Sequence, residues 1–314
     1  MDVVTDLANA PWPDRRAVIT IGAYDGVHLG HRAVIEHVKG RAAEHDAVSA
    51  VVTFDRHPAS VVRPDSAPRL LTDPDQKLEL LADTGVDACV VVPFNADQAS
   101  ETAESFVLRV LVGALATKLV VVGDDFHFGK DRAGNVDLLR KIGAEADFDV
   151  EPLDLLPRAD GVDEPISSTA IRRALAGGDI GRANEMLGRM FEVRGPVKKG
   201  DQRGRLLGFP TANVQVPPDT CFPADGVYAG WFERADGTVH PSAINVGRRP
   251  TFYEHAQAPS VEAHLIDFDG DLYGQPAKVR FAHFLRSERK FDGVDALIAQ
   301  LATDVERSRE LLAG

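Results

Sequence analysis

Apolar positions in the first half of the chain fall in two alternating patterns. Short, nearly unbroken runs occupy Ala17–Ile21, Val48–Phe54, Ala88–Val92 and residues 118–122. Strands buried on both faces read this way, because neither side of the strand meets water. Between the runs, apolar residues recur every three or four positions. That spacing predicts helices over residues 32–46, from Asp73-Pro74 onward, and through residues 106–115. The alternation of strand and helix predicts a doubly wound parallel sheet. A further helix has Ser168 or Thr169 as its N-cap and runs through Ala174 and Leu175 to the stop signal Gly177-Gly178. Residues 180–189 follow as a short helical linker.

Beyond Met190 the pattern changes. Alternating apolar pieces of strand length cover residues 190–197, 210–216, 226–233, 239–246, 260–268 and 277–285, separated by Gly, Pro and Asp. This predicts an antiparallel all-β unit, a barrel or a sandwich. Val294, Leu297, Ile298, Leu301 and Val305 then recur at helical spacing. They predict a closing helix whose apolar face covers one side of the β unit, with Glu306 and Arg307 in solvent. Two domains follow, residues 1–186 and 187–314, each long enough to bury its own core.

Composition narrows the partners. The formal net charge is −13, and the isoelectric point is near 5.2. General nucleic-acid binding and anionic membranes are disfavoured, so a polyanionic ligand must be received at a local positive site. Cys89 and Cys221 fall one in each half, which suggests neither a disulfide framework nor a metal cluster. Cys89 sits in an apolar run and reads as a core residue. The first residues lack a basic, apolar leader pattern, and no segment approaches the length of a membrane span. A cytoplasmic protein is expected.

The most informative stretch is Gly22-Ala23-Tyr24-Asp25-Gly26-Val27-His28-Leu29-Gly30-His31, between the first apolar run and the first helix. Free backbone N–H groups and the helix dipole favour an anion at such a junction, and glycine admits a close approach. His28 and His31 can hydrogen-bond phosphate oxygens and stabilise charge that develops during transfer. A phosphate-binding Gly-x-x-x-x-Gly-Lys-Ser/Thr loop is absent. Ile166-Ser167-Ser168-Thr169-Ala170-Ile171-Arg172 offers a second cradle, with hydroxyls at a helix start and Arg172 one turn inside. Surface histidines in a turn, or a capped helix, would explain either motif alone. Their pairing in one α/β unit favours phosphate chemistry.

In the second half, Gly200-Asp201-Gln202-Arg203-Gly204-Arg205-Leu206-Leu207-Gly208-Phe209-Pro210-Thr211-Ala212-Asn213 combines glycines with a hydroxyl and an amide. It is either an ordinary glycine-rich turn or a loop that cradles phosphates and their Mg²⁺. Glu262 and His264 alternate with Val261, Ala263 and Leu265, so they share one strand face. A carboxylate there can accept a hydroxyl proton. On spacing alone an exposed charge on the polar strand face is the preferred reading.

His28-x-Gly30-His31 together with Ile166-Ser167-Ser168-Thr169-x-Ile171-Arg172 resembles the nucleotidyltransferase superfamily. Thr53-Phe54-Asp55-Arg56-His57-Pro58 and Gly123-Asp124-Asp125-Phe126-His127-Phe128-Gly129 extend the resemblance to the bacterial bifunctional riboflavin kinase/FMN adenylyltransferases, or FAD synthetases. Gly208-Phe209-Pro210-Thr211-Ala212-Asn213 resembles the flavokinase signature, so the likeness covers nearly the whole chain. Many relatives carry a basic residue in place of His127, often another in place of Pro165, and commonly Pro at Arg56 and Phe at Tyr24.

The resemblance implies a Rossmann-like nucleotidyltransferase domain followed by a flavokinase-like barrel with a C-terminal helix. It implies phosphorylation of riboflavin to FMN, then adenylylation of FMN to FAD with release of pyrophosphate. ATP would be co-substrate and Mg²⁺ the metal. The implied adenylyltransferase residues are His28 and His31 as catalytic groups, with Gly22, Asp25, Gly30, Asp125, Ser168, Thr169 and Arg172 binding ATP. His57, Pro58, Phe128 and Arg248 would contact flavin. Gly200, Gly204, Gly208, Thr211 and Asn213 would bind the kinase ATP, Thr211 and Asn213 also holding Mg²⁺. Glu262 is the implied base. Relatives can self-associate weakly, although no interface patch is legible here. A nucleotidyltransferase for another phosphate, retention of only one activity, and a flavin carrier or regulator are the rival readings.

Overall fold

The computed structural model describes residues 1–8, 11–153, 164–200, 203–248 and 259–313. The chain divides into two compact units, Met1–Ser168 and Thr169–Gly314.

The first unit is built on a six-stranded sheet in the order β1-β4-β3-β2-β5-β6. Its strands are β1 (Asp2–Val4), β2 (Ala17–Ile21), β3 (Val48–Phe54), β4 (Ala88–Val92), β5 (Thr117–Gly123) and β6 (Asp149–Leu153), all paired in parallel. Every residue of β2 is buried. Its alternate side chains enter two layers. Ala17, Ile19 and Ile21 join Val107, Val110, Leu111 and Leu139 on one face. Val18 meets Val38 and Ala42 of helix α1 (Leu29–Glu44) on the other. This two-sided burial is why the runs lack a polar phase. Cys89 is buried in β4, as the apolar run suggests.

Three differences from the sequence expectation have local causes. Helix α1 begins at Leu29, earlier than residue 32, because His28 caps it. Residues 106–115 are mostly a π-helix, Val107–Ala114, following a short α-helical turn at Ala103–Phe106. β1, β6 and the helix α3 (Val136–Ala146) were not evident from patterning. β1 is a three-residue edge strand, and β6 has no fully buried residue. Between β3 and β4 lies α2 (Pro74–Ala82), capped by Asp73 as the Asp-Pro signal implies.

The second unit opens with α4 (Ser168–Ala176), which begins in the first, and α5 (Ile180–Leu187). α5 is more than a linker, since it packs on β7 and β12 and Asn184 bonds both Phe191 N–H and Phe281 O. Six antiparallel strands close a barrel in the order β10-β11-β8-β7-β12-β9. They are β7 (Phe191–Lys198), β8 (Ala212–Val214), β9 (Gly226–Glu233), β10 (Val239–Arg248), β11 (Pro259–Leu265) and β12 (Pro276–Arg286). Barrel, not sandwich, is therefore the architecture. Phe191, Val193, Phe232, Ile244, Val261, Ala263, Val279 and Phe281 are buried in it.

The closing helix α6 (Val294–Leu312) lies against β9 and β10. Its seam is more polar than the apolar spacing implies. Asp304, Ser308 and Leu312 are its buried residues, whereas Val294 is 58% exposed. The Arg286 guanidinium on β12 grips Asp304 through Nε, at 3.0 and 3.1 Å, and through Nη2 at 2.7 Å. Gln300 Nε2 donates to the same carboxylate at 2.7 Å. Removing Asp304 strands a partly buried cation. Asp304→Ala should lower the unfolding free energy of the second unit by about 2–4 kcal/mol, while Glu306→Ala on the exposed face should change it by under about 0.5 kcal/mol. Urea titration of the two variants checks this. Equal, small effects would mean that the clasp contributes nothing.

Candidate functional site

From β2 the chain winds outward through β3 and β4, then crosses back to β5, so the winding switches at the β2–β5 junction. β3 and β4 lie to one side of it, while β5 and β6 lie to the other. A crevice forms at the carboxyl ends of strands where such a switch occurs. The histidine motif occupies that junction, leading from β2 into α1.

The turn is strained and tied down. Tyr24, Gly26 and Val27 have φ values of 51°, 87° and 37°, in the left-handed region. Tyr24 is buried and its hydroxyl lies 2.8 Å from Thr20 Oγ1. Burial raises the pKa of that hydroxyl well above the ordinary tyrosine value, so it remains protonated. Thr53 Oγ1, at the end of β3, donates to Ala23 O at 3.1 Å. An added Cβ on Gly22 would lie 3.1 Å from the Tyr24 ring.

His28 is the N-cap of α1, and its Nδ1 accepts the His31 N–H at 3.3 Å. That bond makes Nε2 the proton-bearing nitrogen of the neutral ring. The two imidazoles stack with centroids 3.6 Å apart, and Tyr24 lies 4.7 Å from His31. At Gly30, a Cβ would come within 3.2 Å of the His28 ring and 3.3 Å of Ile166 O. Glycine therefore lets the capping ring and the 166 backbone share one space. No acidic residue occupies the first turn of α1, which keeps the helix start receptive to anions.

Ser168 joins this cluster. It is the first residue of α4, so neither it nor Thr169 is the N-cap, and its Oγ donates to Asp25 O at 2.8 Å. Thr169 and Arg172 follow on the same helix. Asp25 is 5% exposed, and its carboxylate accepts from the amides of Leu71 and Thr72 and from the Thr72 hydroxyl.

The other strand ends carry the remaining first-half residues. After β3, His57 Nδ1 accepts from Ala59 N at 3.1 Å, and Pro58 starts the turn Ala59–Val62. Burial pushes the Asp55 carboxyl up, but bonds from Arg56 and the Phe94 N–H outweigh it and leave its pKa below the ordinary value. Arg56 is thus engaged with Asp55. After β5, Asp125 is exposed and its carbonyl lies 2.8 Å from His127 Nδ1. Phe128 stacks on Phe126 at 5.4 Å and touches the Phe106 ring. Sequence reasoning missed Lys77 of α2. Its ammonium, depressed in pKa by burial, donates to Phe54 O at 2.8 Å. A basic residue inside an otherwise apolar helix face was the available signal.

In the second unit the antiparallel register supplies what spacing could not. Glu262 pairs with Asn213 on one side and with Asn245 on the other, and Asn213 pairs with Lys198. Directly paired residues share a face, so these four form one row on the barrel exterior, opposite buried Val261 and Ala263. Beside the row is a cavity of about 430 Å³ lined by Gly200, Thr211 and Asn213 and by the segment from Phe268 to Tyr273. An added Cβ on Gly200 would fall 2.6 Å from the Asn213 amide. Gly204 closes the turn by accepting from Phe209 N at 2.8 Å. Gly208 has φ 86° and open space around it. The loop is thus a short helical turn, Arg203–Leu206, rather than a β-turn.

Asp269 and Asp271 were missed, although Phe268-Asp269-Gly270-Asp271-Leu272-Tyr273-Gly274 is a visible acidic turn. Oxygen donors at Thr211 and Asn213 beside these carboxylates suit a hard cation that keeps several waters. Arg248 ends β10. Asp201 and Gln202, and residues 249–252 that follow Arg248, lie outside the described residues.

Comparison with known proteins bears on both units. Residues 10–170 match the FAD synthetase family model and residues 187–312 match the riboflavin kinase model. A bifunctional riboflavin kinase/FMN adenylyltransferase of Listeria monocytogenes is 39% identical over 96% of this chain and 94% of its own length. The Pseudomonas fluorescens protein of the same name is 39% identical over 100% and 98%. A solved Streptococcus pneumoniae structure titled a macrolide-efflux protein superposes with a TM-score of 0.85, 29% identity and 98% coverage of both chains. Among the described residues here, no helix is long and apolar enough to cross a membrane. With both family models matched in order and relatives aligned end to end, the chain belongs to the bifunctional riboflavin kinase/FMN adenylyltransferase family.

Proposed function

We propose that the two reactions run at two separate centres, adenylyl transfer at the histidine turn and phosphoryl transfer on the barrel exterior. As a member of its family, the chain uses ATP with riboflavin and FMN and yields FAD. The observation that carries the reading is the paired geometry of His28 and His31 at an anion-receptive helix start. The functional boundary lies between residues 186 and 187, a division supported by the two matched spans. The same reading puts the enzyme in the cytoplasm, where the buried thiols Cys89 and Cys221 stay reduced.

In the first centre, an FMN phosphate oxygen attacks the α-phosphorus of ATP, and the α–β bond breaks to release pyrophosphate. The nucleophile is already an anion, so no base is needed. The Nε2 proton of His28, fixed by the bond at Nδ1, meets the charge growing on the α-phosphate, with His31 beside it. Gly22 and Gly30 keep the cradle open, and Asp25 holds its backbone. Ser168, with Thr169 and Arg172 after it on α4, takes the outer phosphates. Asp125 meets the nucleotide, while His57, Pro58 and Phe128 approach the flavin.

In the second centre the riboflavin 5′-hydroxyl attacks the γ-phosphorus, the β–γ bond breaks to give ADP, and Glu262 accepts the hydroxyl proton. Gly200, Gly204 and Gly208 leave room for the phosphates, and Arg248 lies on the flavin side. Thr211 and Asn213 would hold Mg²⁺, which neutralises phosphate charge when bound. The direct pairing of Asn213 with Glu262 supports this assignment by putting metal ligand and base on adjacent strands.

A flavin time course and three variants test the reading. Chromatography of riboflavin, ATP and Mg²⁺ incubations should show FMN first and FAD later. His28→Ala should cut FAD formation by about 100-fold or more while sparing FMN formation. Glu262→Ala should cut FMN formation by about 100-fold or more while sparing adenylylation of supplied FMN. A folded variant that loses both activities would refute two separate centres. Gly30→Ala, through its clash with the His28 ring, should slow FAD formation by about tenfold and leave FMN formation unchanged. Unaltered FAD kinetics would show that the ring position is not critical.

A further inference from the structure

The histidine turn rests on a residue outside every motif discussed so far. Thr72 is 4% exposed and lies between β3 and α2. Its hydroxyl works in both directions. Oγ1 accepts the Gly26 N–H at 3.1 Å and donates its own proton to Asp25 Oδ1 at 3.2 Å. The Thr72 amide adds a bond to the same carboxylate oxygen at 3.1 Å, and the Leu71 amide meets both oxygens at 2.9 and 3.0 Å.

Thr72 is itself firmly placed. The next residue, Asp73, caps α2 by accepting from Gln76 N at 2.8 Å. Lys77 of that helix is tied to Phe54 O on β3. A line of bonds therefore runs from the sheet, through α2, to the backbone of residues 25–26. Those two residues sit just ahead of His28, in the turn where Tyr24, Gly26 and Val27 take positive φ. A turn with Tyr24 and Val27 at positive φ does not hold itself. The site clasps it from outside.

We propose that Thr72 is a positioning residue for adenylyl transfer, its buried hydroxyl setting the backbone that aims His28 and His31. The proposal rests on the reading of those histidines given above. It also moves Asp25 from nucleotide contact to the same clasp. Thr72→Val keeps size and both backbone amide bonds but removes the two hydroxyl bonds, so the turn stays docked and loses its fine register. Contacts made to charge that develops only during transfer then suffer more than ground-state binding.

The test uses the full chain, with thermal melting of each variant to show that the first unit stays folded and the kinase reaction as the control for the second. For Thr72→Val, kcat for FAD formation from FMN and ATP should fall about 10- to 100-fold. KM values for FMN and ATP should stay within about twofold, and FMN formation from riboflavin should be unchanged. Thr72→Ser, which keeps the hydroxyl, should restore kcat to within about threefold of the parent. A parent-like kcat in Thr72→Val, a rise in KM alone, a loss that Thr72→Ser shares, or a parallel fall in both activities would each overturn the proposal. His28→Ala is measured alongside. Loss in His28→Ala alone removes Thr72 from the mechanism and leaves the histidine reading intact. Unimpaired FAD formation in His28→Ala removes the histidine reading itself.

Discussion

The first unit depends on how the chain leaves β2. This strand is buried along its whole length and lies where the sheet reverses its winding. A helix must begin within a few residues, with its first N–H groups available to a ligand rather than spent on the loop. The chain meets that demand by putting Tyr24, Gly26 and Val27 in left-handed conformations. Such conformations in non-glycine residues cost on the order of 1–3 kcal/mol each. Bonds from Thr20, Thr53, Leu71, Thr72 and Ser168 converge on the turn and offset that cost. The helix cap then comes from His28 itself, a side chain that is also placed to do chemistry. Capping fixes its tautomer, and Gly30 leaves its ring room to lie over the helix start.

The barrel solves a different problem. A closed antiparallel sheet has an interior filled by apolar residues, so polar groups of the same strands face outward. Register then decides which of them meet. Here it aligns Lys198, Asn213, Glu262 and Asn245 across four neighbouring strands. The row needs no buried charge and no strained backbone. It needs only that β8 be held in place, and β8 is just three residues long. Its ladders to β7 and β11 supply that hold, so the site is as rigid as the barrel that carries it.

What could be read from sequence follows from these two cases. The four central strands were legible because burial on both faces leaves a continuous apolar run. β1 escaped because an edge strand of three half-exposed residues has no such run, and β6 because Asp149, Glu151 and Pro152 interrupt it. The closing helix was legible as a helix but not in its seam, since an Asp304 gripped by Arg286 looks like any solvated charge until the fold joins them. His28, His31, Thr211 and Asn213 stood out because phosphate chemistry restricts both residue type and spacing. Thr72 had no such signature. Its importance lies in two bonds to residues 46 and 47 positions away, and a lone threonine before an Asp-Pro helix start looks like punctuation.

The contrast between the centres also explains how a chain with a net charge of −13 handles ATP twice. An acidic protein repels a polyphosphate at long range, so attraction must be local. The first centre supplies it with a helix start free of acidic residues and with imidazole donors, where the attacking group is already an anion and no proton must be removed. The second centre must take a proton from an alcohol, so it places a carboxylate within the row that carries its oxygen ligands. A carboxylate beside phosphate charge is unfavourable unless a cation intervenes, and Asp269 and Asp271 at the cavity wall deepen that need. The same reasoning accounts for the absence of acidic side chains from the first turn of α1. In that centre no proton has to be collected, and a carboxylate would only oppose the transfer.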